Sequence, residues 1–286
     1  MLFDEIKLDQ TPYFEAVEEV KRKLRDGDVV VGAGGDGTNQ VTLQGAFQSE
    51  KNVQIGFLPL GNANDFAGAL NGRATNPEEI FASPTIEFHP LVLSVNGVEK
   101  FFVAAYATFG ATMVAVKWLN SEKARAERER HPNLPPIAAL DADSIKGMSR
   151  DINALNFPAF SRDGQIYHAD SVGFFITAAA HGLLRPTGAD NFLTRDDFFF
   201  HSANVRDQLL GKTIFGKSLR AGGWATFGLP GGISDAEELR FLQPTDLICQ
   251  IGGDNVPLQN VQQISATRST RAIKIFAPRA EKIQQK

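Results

Sequence analysis

The chain has 286 residues and a net charge of −4, and its composition is 43% hydrophobic and 22% charged. This balance is that of an ordinary globular protein and gives no reason to expect a nucleic-acid partner. Since no apolar run reaches the roughly 18 residues of a transmembrane helix and no signal-peptide pattern stands at the start, we expect a cytoplasmic protein, and its length favours two domains.

Helices and strands alternate in the first part of the chain. Residues 13–25 predict an amphipathic helix, because apolar residues recur there at helical spacing. A strand is expected at 29–31, a helix at 39–47 and a second strand at 53–58, and both strands lead into glycine-containing turns. This order is typical of an open parallel sheet whose ligands bind at the carboxyl ends of the strands.

The pattern changes to antiparallel strands beyond Ser83-Pro84. The apolar stretches 86–95 and 98–108 flank Asn96-Gly97, a strong signal for a hairpin. A helix is expected at 113–130 and irregular structure at 131–160, which contains several prolines. Later strands are expected at 172–179, 224–227, 247–251, 261–267 and 272–276. The second part therefore predicts an antiparallel β-sandwich.

Three glycines bracket an acid and a hydroxyl in Gly34-Gly35-Asp36-Gly37-Thr38, which follows a predicted strand and opens a predicted helix. Backbone N–H groups in such a turn can converge on phosphate oxygens at the positive end of the helix. Asp36 cannot bind phosphate without a cation, so we expect it to order an exposed loop or to help to hold Mg²⁺. Neither a Walker loop nor a dinucleotide fingerprint fits the spacing.

This loop and the downstream Pro59-Leu60-Gly61-Asn62-Ala63-Asn64-Asp65-Phe66-Ala67 together resemble the diacylglycerol kinase catalytic domain family, which includes bacterial lipid kinases and sphingosine kinases. The resemblance implies a nucleotide-binding α/β domain at 1–84, a β-sandwich domain for the lipid substrate at 85–277, and packing of 278–286 back on the first domain. It implies that ATP is bound by Gly34, Gly35, Asp36, Gly37, Thr38, Asn62, Asn64 and Asp65.

The resemblance also implies two acidic residues in the second domain. The segment 247–254 resembles a late strand ending in Asp-Gly-Glu, whose glutamate is the family's general base, and Asp254 stands in its place with one methylene fewer. A plain Gly-Gly-Asp-Asn turn is the alternative. Asp196 stands where the family has an aspartate that supports a structural Mg²⁺. The expected catalytic residues are therefore Asp254 and Asp36, and the expected metal residue is Asp196.

Several features depart from the family pattern. The family's first strand and Asn-Pro-x-Ser-Gly loop have no counterpart, Asn62 replaces a threonine, and Val41 stands nearest the place of a missing glutamate. The resemblance implies an ATP- and Mg²⁺-dependent kinase of diacylglycerol or a related lipid that contacts membranes transiently; it leaves a homodimer open. An NAD kinase-like enzyme with a soluble substrate, or a nucleotide- or lipid-binding relative with impaired catalysis, remains an alternative.

Overall fold

The computed structural model describes residues 6, 11–61, 64–71, 76–131, 139–177, 185–186, 193–204, 228–229 and 231–279. These residues form two main sheets and seven helices. The helices are α1 (Tyr13–Lys23), α2 (Asp36–Gln48), α3 (Asp65–Asn71), α4 (Pro77–Phe81), α5 (Ala111–Leu119), α6 (Glu122–Arg130) and α7 (Ala142–Ala154). Within this described part, no helix is long and apolar enough to cross a membrane.

The first sheet has four strands and carries both glycine-containing turns. Its strands are, in spatial order, β1 (Val29–Gly34), β2 (Gln54–Pro59), β16 (Ile273–Phe276) and β3 (Thr85–Phe88). β1, β2 and β16 run parallel, and β3 is antiparallel to β16. Because parallel strands end at the same edge of a sheet, the turns that follow β1 and β2 are neighbours.

The second sheet is antiparallel and contains ten strands. In spatial order they are β13 (Gly232–Ser234), β11 (Phe198–Ala203), β9 (Ser171–Phe175), β6 (Tyr106–Gly110), β14 (Ala236–Ile251), β15 (Asp254–Arg268), β4 (Leu91–Val95) and β5 (Val98–Val103), with β7 (Phe160–Arg162) beside β14 and β8 (Gln165–Tyr167) beside β7. The two-residue strands β10 (Arg185–Pro186) and β12 (Gly228–Leu229) pair separately. The predicted fold class, a parallel α/β domain followed by an antiparallel β domain, is confirmed.

Phenylalanine rings fill much of the interior of the second sheet. Those that are almost completely buried include Phe101, Phe109, Phe160, Phe174, Phe175, Phe198 and Phe199. Most of them lie on the neighbouring strands β6, β9 and β11, and the Phe174 and Phe200 rings approach to 5.4 Å between centroids. The abundance of phenylalanine in the sequence therefore reflects the packing of this core.

The hairpin predicted around Asn96-Gly97 is confirmed for β4 and β5. Asn96 and Gly97 have φ angles of 53° and 78°, which are the left-handed values that a two-residue hairpin turn requires. The residues before Leu91 do not extend this hairpin, because Thr85–Phe88 pairs with β16 in the first sheet.

Helix α7 lies within 131–160, where we expected irregular structure, and that expectation is wrong. The Asp141 side chain accepts a hydrogen bond from the Ser144 N–H at 2.8 Å and caps the helix. Met148 and Ile152 are buried one turn apart. The single helix expected at 113–130 is also wrong, since α5 ends at Leu119 and α6 begins at Glu122.

The chain crosses between the two sheets after β3 and again after β15. The crossings are adjacent, because the Ser269 N–H donates to the Pro90 carbonyl at 2.9 Å and the His89 Nδ1 lies 2.8 Å from the Ser269 carbonyl oxygen. The predicted boundary at residue 84 would place two strands, Thr85–Phe88 and Ile273–Phe276, in the second domain. Both strands belong to the first sheet. Sheet membership thus divides the chain after residue 88 and again before residue 273.

Candidate functional site

The glycine loop joins the end of β1 to the start of α2. β1 ends at Gly34, Gly35 is the extended N-cap residue, and α2 begins at Asp36. The first helical hydrogen bond runs from the Asn39 N–H to the Gly35 carbonyl at 3.0 Å. The N–H groups that precede Asn39 therefore lie at the positive end of a 13-residue helix, outside its ladder of hydrogen bonds. Such an end can bind phosphate oxygens.

The turn after β2 lies directly against the glycine loop. The N–H groups of Leu60 and Gly61 both donate to the Gly34 carbonyl, at 3.0 and 3.1 Å. A Cβ atom on Gly61 would lie only 2.2 Å from the Gly35 Cα. The two turns can approach this closely only because neither residue has a side chain.

Asn64 shapes this second turn. Its Oδ1 accepts a hydrogen bond from the Gly61 N–H at 2.9 Å, and its Nδ2 donates to the Gly61 carbonyl. Its own carbonyl accepts from the Gly68 N–H at 2.7 Å, within the first turn of α3. The amide is thus engaged with the protein backbone, and nucleotide binding by Asn64 stays a prediction. Asn62 lies outside the described residues.

Asp36 and Asp65 are both buried, with 7% and 3% of their surface exposed. The Asp36 Oδ1 accepts a hydrogen bond from the Phe66 N–H at 3.2 Å, so Asp36 joins the start of α2 to the start of α3. Our expectation of an exposed loop was wrong for Asp36, because the second turn and α3 pack over it. Thr38 lies back over Gly34, where a Cβ atom would meet its side chain.

The β14–β15 hairpin brings Asp254 from the second sheet to the glycine loop. Its turn is Gly252-Gly253, with φ angles of 54° and 96°. A Cβ atom on Gly252 would lie 2.7 Å from the Asp36 carbonyl oxygen, and one on Gly37 would lie 2.9 Å from the Asp254 Oδ2. The hairpin tip therefore packs on the first turn of α2. Burial raises the pKa of the Asp254 carboxyl group above its usual value.

Gln40 fastens helix α2 to the second sheet. Its Nε2 donates to the Phe102 carbonyl and its Oε1 accepts from the Ala104 N–H, both at 2.9 Å. Gln40 is completely buried, and its Nε2 also contacts the Tyr13 hydroxyl oxygen at 3.0 Å. These bonds fix the position of the glycine loop relative to the hairpin that carries Asp254. Gln40 was not predicted from the sequence, because a glutamine in a helix is usually solvated and its partners here, Phe102 and Ala104, are more than 60 residues away.

Tyr106 is a further group that the sequence analysis did not single out. Burial raises the pKa of its phenol well above 10, and the charges of Asp65, Asp36 and Asp254 raise it further. The three carboxylates and Tyr106 therefore occupy one region of the molecule. Tyr106 stands in an apolar run, where its sequence signal is that of a core residue, so only the tertiary fold reveals its neighbours.

Asp196 lies apart from this cluster. It is exposed. Burial lowers the pKa of the Arg268 guanidinium to about 10, and the negative charges of Asp196 and Asp197 partly oppose this shift. In the ranges that the structure describes, no three His, Cys, Asp or Glu side chains are grouped so that they could hold a metal ion. A structural Mg²⁺ at Asp196 stays a prediction.

Comparison with known families supports the resemblance drawn from the two turns. The model of the diacylglycerol kinase catalytic domain matches residues 3–87. Residues 3–87 are therefore similar to the catalytic domain of diacylglycerol kinases. The matched segment contains the glycine loop, the turn after β2, Asp36 and Asp65, whereas Asp254 lies outside it.

Curated diacylglycerol kinases match part of the chain. That of Staphylococcus carnosus (strain TM300) is 40% identical over 167 residues, which are 57% of this chain and 49% of that protein. That of Staphylococcus aureus (strain JH9) is 25% identical over 168 residues, 57% of this chain and 48% of that protein. The chain thus spans about half the length of these relatives.

Solved structures share the two-domain fold over almost the whole chain. The crystal structure of a diacylglycerol kinase from Bacillus anthracis str. Sterne has a TM-score of 0.57 and 17% identity, and covers 96% of this chain and 84% of its own. A second structure from that organism has a TM-score of 0.60 and 13% identity, with 96% and 85% covered. At these identities the likeness concerns the fold.

Proposed function

We propose that the protein is an ATP-dependent lipid kinase that transfers the γ-phosphoryl group to a hydroxyl group of diacylglycerol or a related lipid. The observation that carries this proposal is the contact between the glycine loop and Asp254, where a Cβ atom on Gly37 would lie 2.9 Å from the Asp254 Oδ2. The glycine loop offers backbone N–H groups that can bind phosphates, and Asp254 offers a carboxylate. Phosphoryl transfer requires a site that holds the phosphates and a group that accepts the proton of the acceptor hydroxyl.

The nucleotide phosphates would bind at the first turn of α2. The N–H groups there lie outside the helical ladder, and the absence of side chains on Gly35 and Gly61 lets the second turn pack against this end of the helix. The residues therefore fit a phosphate group. Thr38 adds a hydroxyl group at the same turn.

Mg²⁺ would enter with ATP and neutralise charge on its phosphates. Kinases commonly hold this ion with one or two carboxylates and the phosphate oxygens, so a complete protein cage is not required. Asp36, at the first turn of α2, is the residue that would hold the ion. Its Oδ1 is fixed by the Phe66 N–H, which orients the carboxylate before the nucleotide binds.

Asp254 would act as the general base. As the acceptor oxygen forms a bond to the γ-phosphorus, the bond between that phosphorus and the bridging oxygen of ADP breaks. The hydroxyl proton passes to the Asp254 carboxylate. A positioned base of this kind contributes roughly 10²- to 10⁴-fold to the rate.

The lipid class of the acceptor is suggested by the names of the relatives, which are diacylglycerol kinases. A lipid acceptor requires contact with a membrane surface. The net charge of −4 does not favour strong binding to anionic lipids, so we propose a transient contact.

The decisive test is acceptor choice with labelled ATP. We expect label to be transferred to diacylglycerol in phosphatidylcholine vesicles and not to NAD, and flotation with those vesicles to be weak without diacylglycerol. Transfer to NAD would favour a soluble substrate. Binding of Mg-ATP in calorimetry without transfer to either acceptor would identify a relative with impaired catalysis.

Asp36→Asn should separate the charge of Asp36 from its structural role. The asparagine Oδ1 can still accept from the Phe66 N–H, so we expect the midpoint of thermal unfolding to stay within about 3 °C of the parent. Affinity for Mg-ATP in calorimetric titration should fall by roughly tenfold or more. Asp36→Ala should lose affinity and also about 1–3 kcal/mol of stability. Unchanged affinity in the asparagine variant would contradict a role in holding the metal nucleotide.

A further inference from the structure

Strand register places Tyr106 beside the hairpin tip that carries Asp254. In the antiparallel β6–β14 ladder, Thr108 pairs with Gln250 and Ala107 pairs with Ile251. The ladder ends there: Tyr106 is the residue of β6 that precedes Ala107, and Gly252 follows Ile251 as the first residue of the hairpin turn. A Cβ atom on Gly252 would lie 2.7 Å from the Asp36 carbonyl oxygen. Tyr106 is therefore next to the place where the hairpin meets the first turn of α2.

The ring of Tyr106 is held firmly on its other side. Tyr106 pairs with Phe175 of β9, and their rings are tilted by 32°. Tyr106 is 7% exposed and Phe175 is 1% exposed. A buried ring on a central strand has few rotamers, so its hydroxyl group has a defined position.

The hydroxyl group of Tyr106 differs in chemistry from its charged neighbours. Asp36, Asp65 and Asp254 accept hydrogen bonds when ionised and cannot donate them. Tyr106 keeps its proton, because burial and the three negative charges disfavour its anion. An alcohol that gives its proton to a carboxylate still has lone pairs on its oxygen, and a neutral donor can fix that oxygen in place.

We propose that Tyr106 is the binding residue for the acceptor's reacting oxygen: its hydroxyl group donates a hydrogen bond to that oxygen and holds it beside Asp254. This inference rests on the proposed lipid kinase function. The ligand is an alcohol, and the buried Phe175 ring holds the Tyr106 ring in place. The phenol supplies orientation, and the proton of the alcohol still passes to Asp254.

Tyr106→Phe tests this inference, because it removes the hydroxyl group and keeps the ring. With diacylglycerol in phosphatidylcholine vesicles, kcat/KM for the lipid should fall by about 10- to 100-fold. The KM for Mg-ATP should change by less than about twofold, and the midpoint of thermal unfolding by less than about 3 °C. Tyr167→Phe is the matched control, since Tyr167 also lies against a phenylalanine ring, with 5.8 Å between its centroid and that of Phe160, and it should behave as the parent in every measurement.

The possible results are distinct. Loss confined to the lipid parameters supports the inference. Parent-like kinetics in Tyr106→Phe, beside an active parent, would overturn the inference and leave the proposed function intact. An equal loss of lipid turnover, ATP affinity and thermal stability would also overturn it, because it would show a structural role. A parent that phosphorylates no lipid would overturn the proposed function itself, and the inference with it.

Discussion

Asp254→Asn is expected to lower turnover by roughly 10²- to 10⁴-fold with little change in affinity for Mg-ATP. Asparagine has the shape of aspartate and can occupy the same space against Gly37, where the Asp254 Oδ2 lies 2.9 Å from the position of a Cβ atom. It cannot take up the acceptor's proton. Steady-state kinetics with diacylglycerol, together with calorimetric titration of Mg-ATP, measures both effects.

Two further variants make this result specific to the carboxylate. Asp254→Glu keeps the proton acceptor and should keep measurable turnover. Asp246→Asn changes an exposed aspartate on the same hairpin, whose Oδ1 accepts from the Asn260 N–H at 2.9 Å, and should leave turnover unchanged. If Asp254→Asn stays within a few-fold of the parent, Asp254 is only a turn residue and its effect should be limited to about 1 kcal/mol of stability.

Gly61→Ala should weaken Mg-ATP binding by at least about 100-fold. The added methyl group would lie 2.2 Å from the Gly35 Cα and 2.8 Å from the Gly35 nitrogen, and both atoms belong to the backbone. No side-chain rotation can relieve such a contact, so the glycine loop and the second turn must separate. We expect a stability loss of about 1–3 kcal/mol as well, as for other overpacked sites.

Gly68→Ala is the control for this experiment. Gly68 lies in α3, a few residues after Gly61, and a Cβ atom there would meet nothing within 4 Å. Alanine in a helix is more favourable than glycine by roughly 0.5–1 kcal/mol, so this variant should be slightly stabilised and should bind Mg-ATP as the parent does. Parent-like binding by Gly61→Ala would show that the close approach of the two turns is not needed for the nucleotide.

The local features of the site could be predicted from sequence because they depend on residues close together in the chain. A strand, three glycines and the start of a helix follow one another between Val29 and Gln48, so this short segment alone predicts the strand–turn–helix unit. The Asn96-Gly97 turn was predictable for the same reason, since left-handed φ angles favour those residue types. The importance of Asp254 came from family resemblance, and its place against the glycine loop became visible only in the folded chain.

Other features could not be predicted because distant residues decide them. Asp36 is buried by the second turn and α3, and neither can be inferred from the glycine loop. Gln40 can be buried because the backbone of Phe102 in β5 and of Ala104 just after it satisfies its amide group. Helix α7 was missed because we gave the prolines on either side of it more weight than its cap, Asp141, and its two buried apolar residues.

The position of β16 has a consequence for the order of folding. This strand, made from Ile273–Phe276, lies between β2 and β3 and pairs with both. A ribosome must therefore synthesise the whole antiparallel sheet before the first sheet can be completed. The glycine loop emerges early, yet its supporting sheet remains without an inner strand until then. A nascent chain should accordingly complete the proposed nucleotide site late, and isolated residues 1–88 should not form a stable domain.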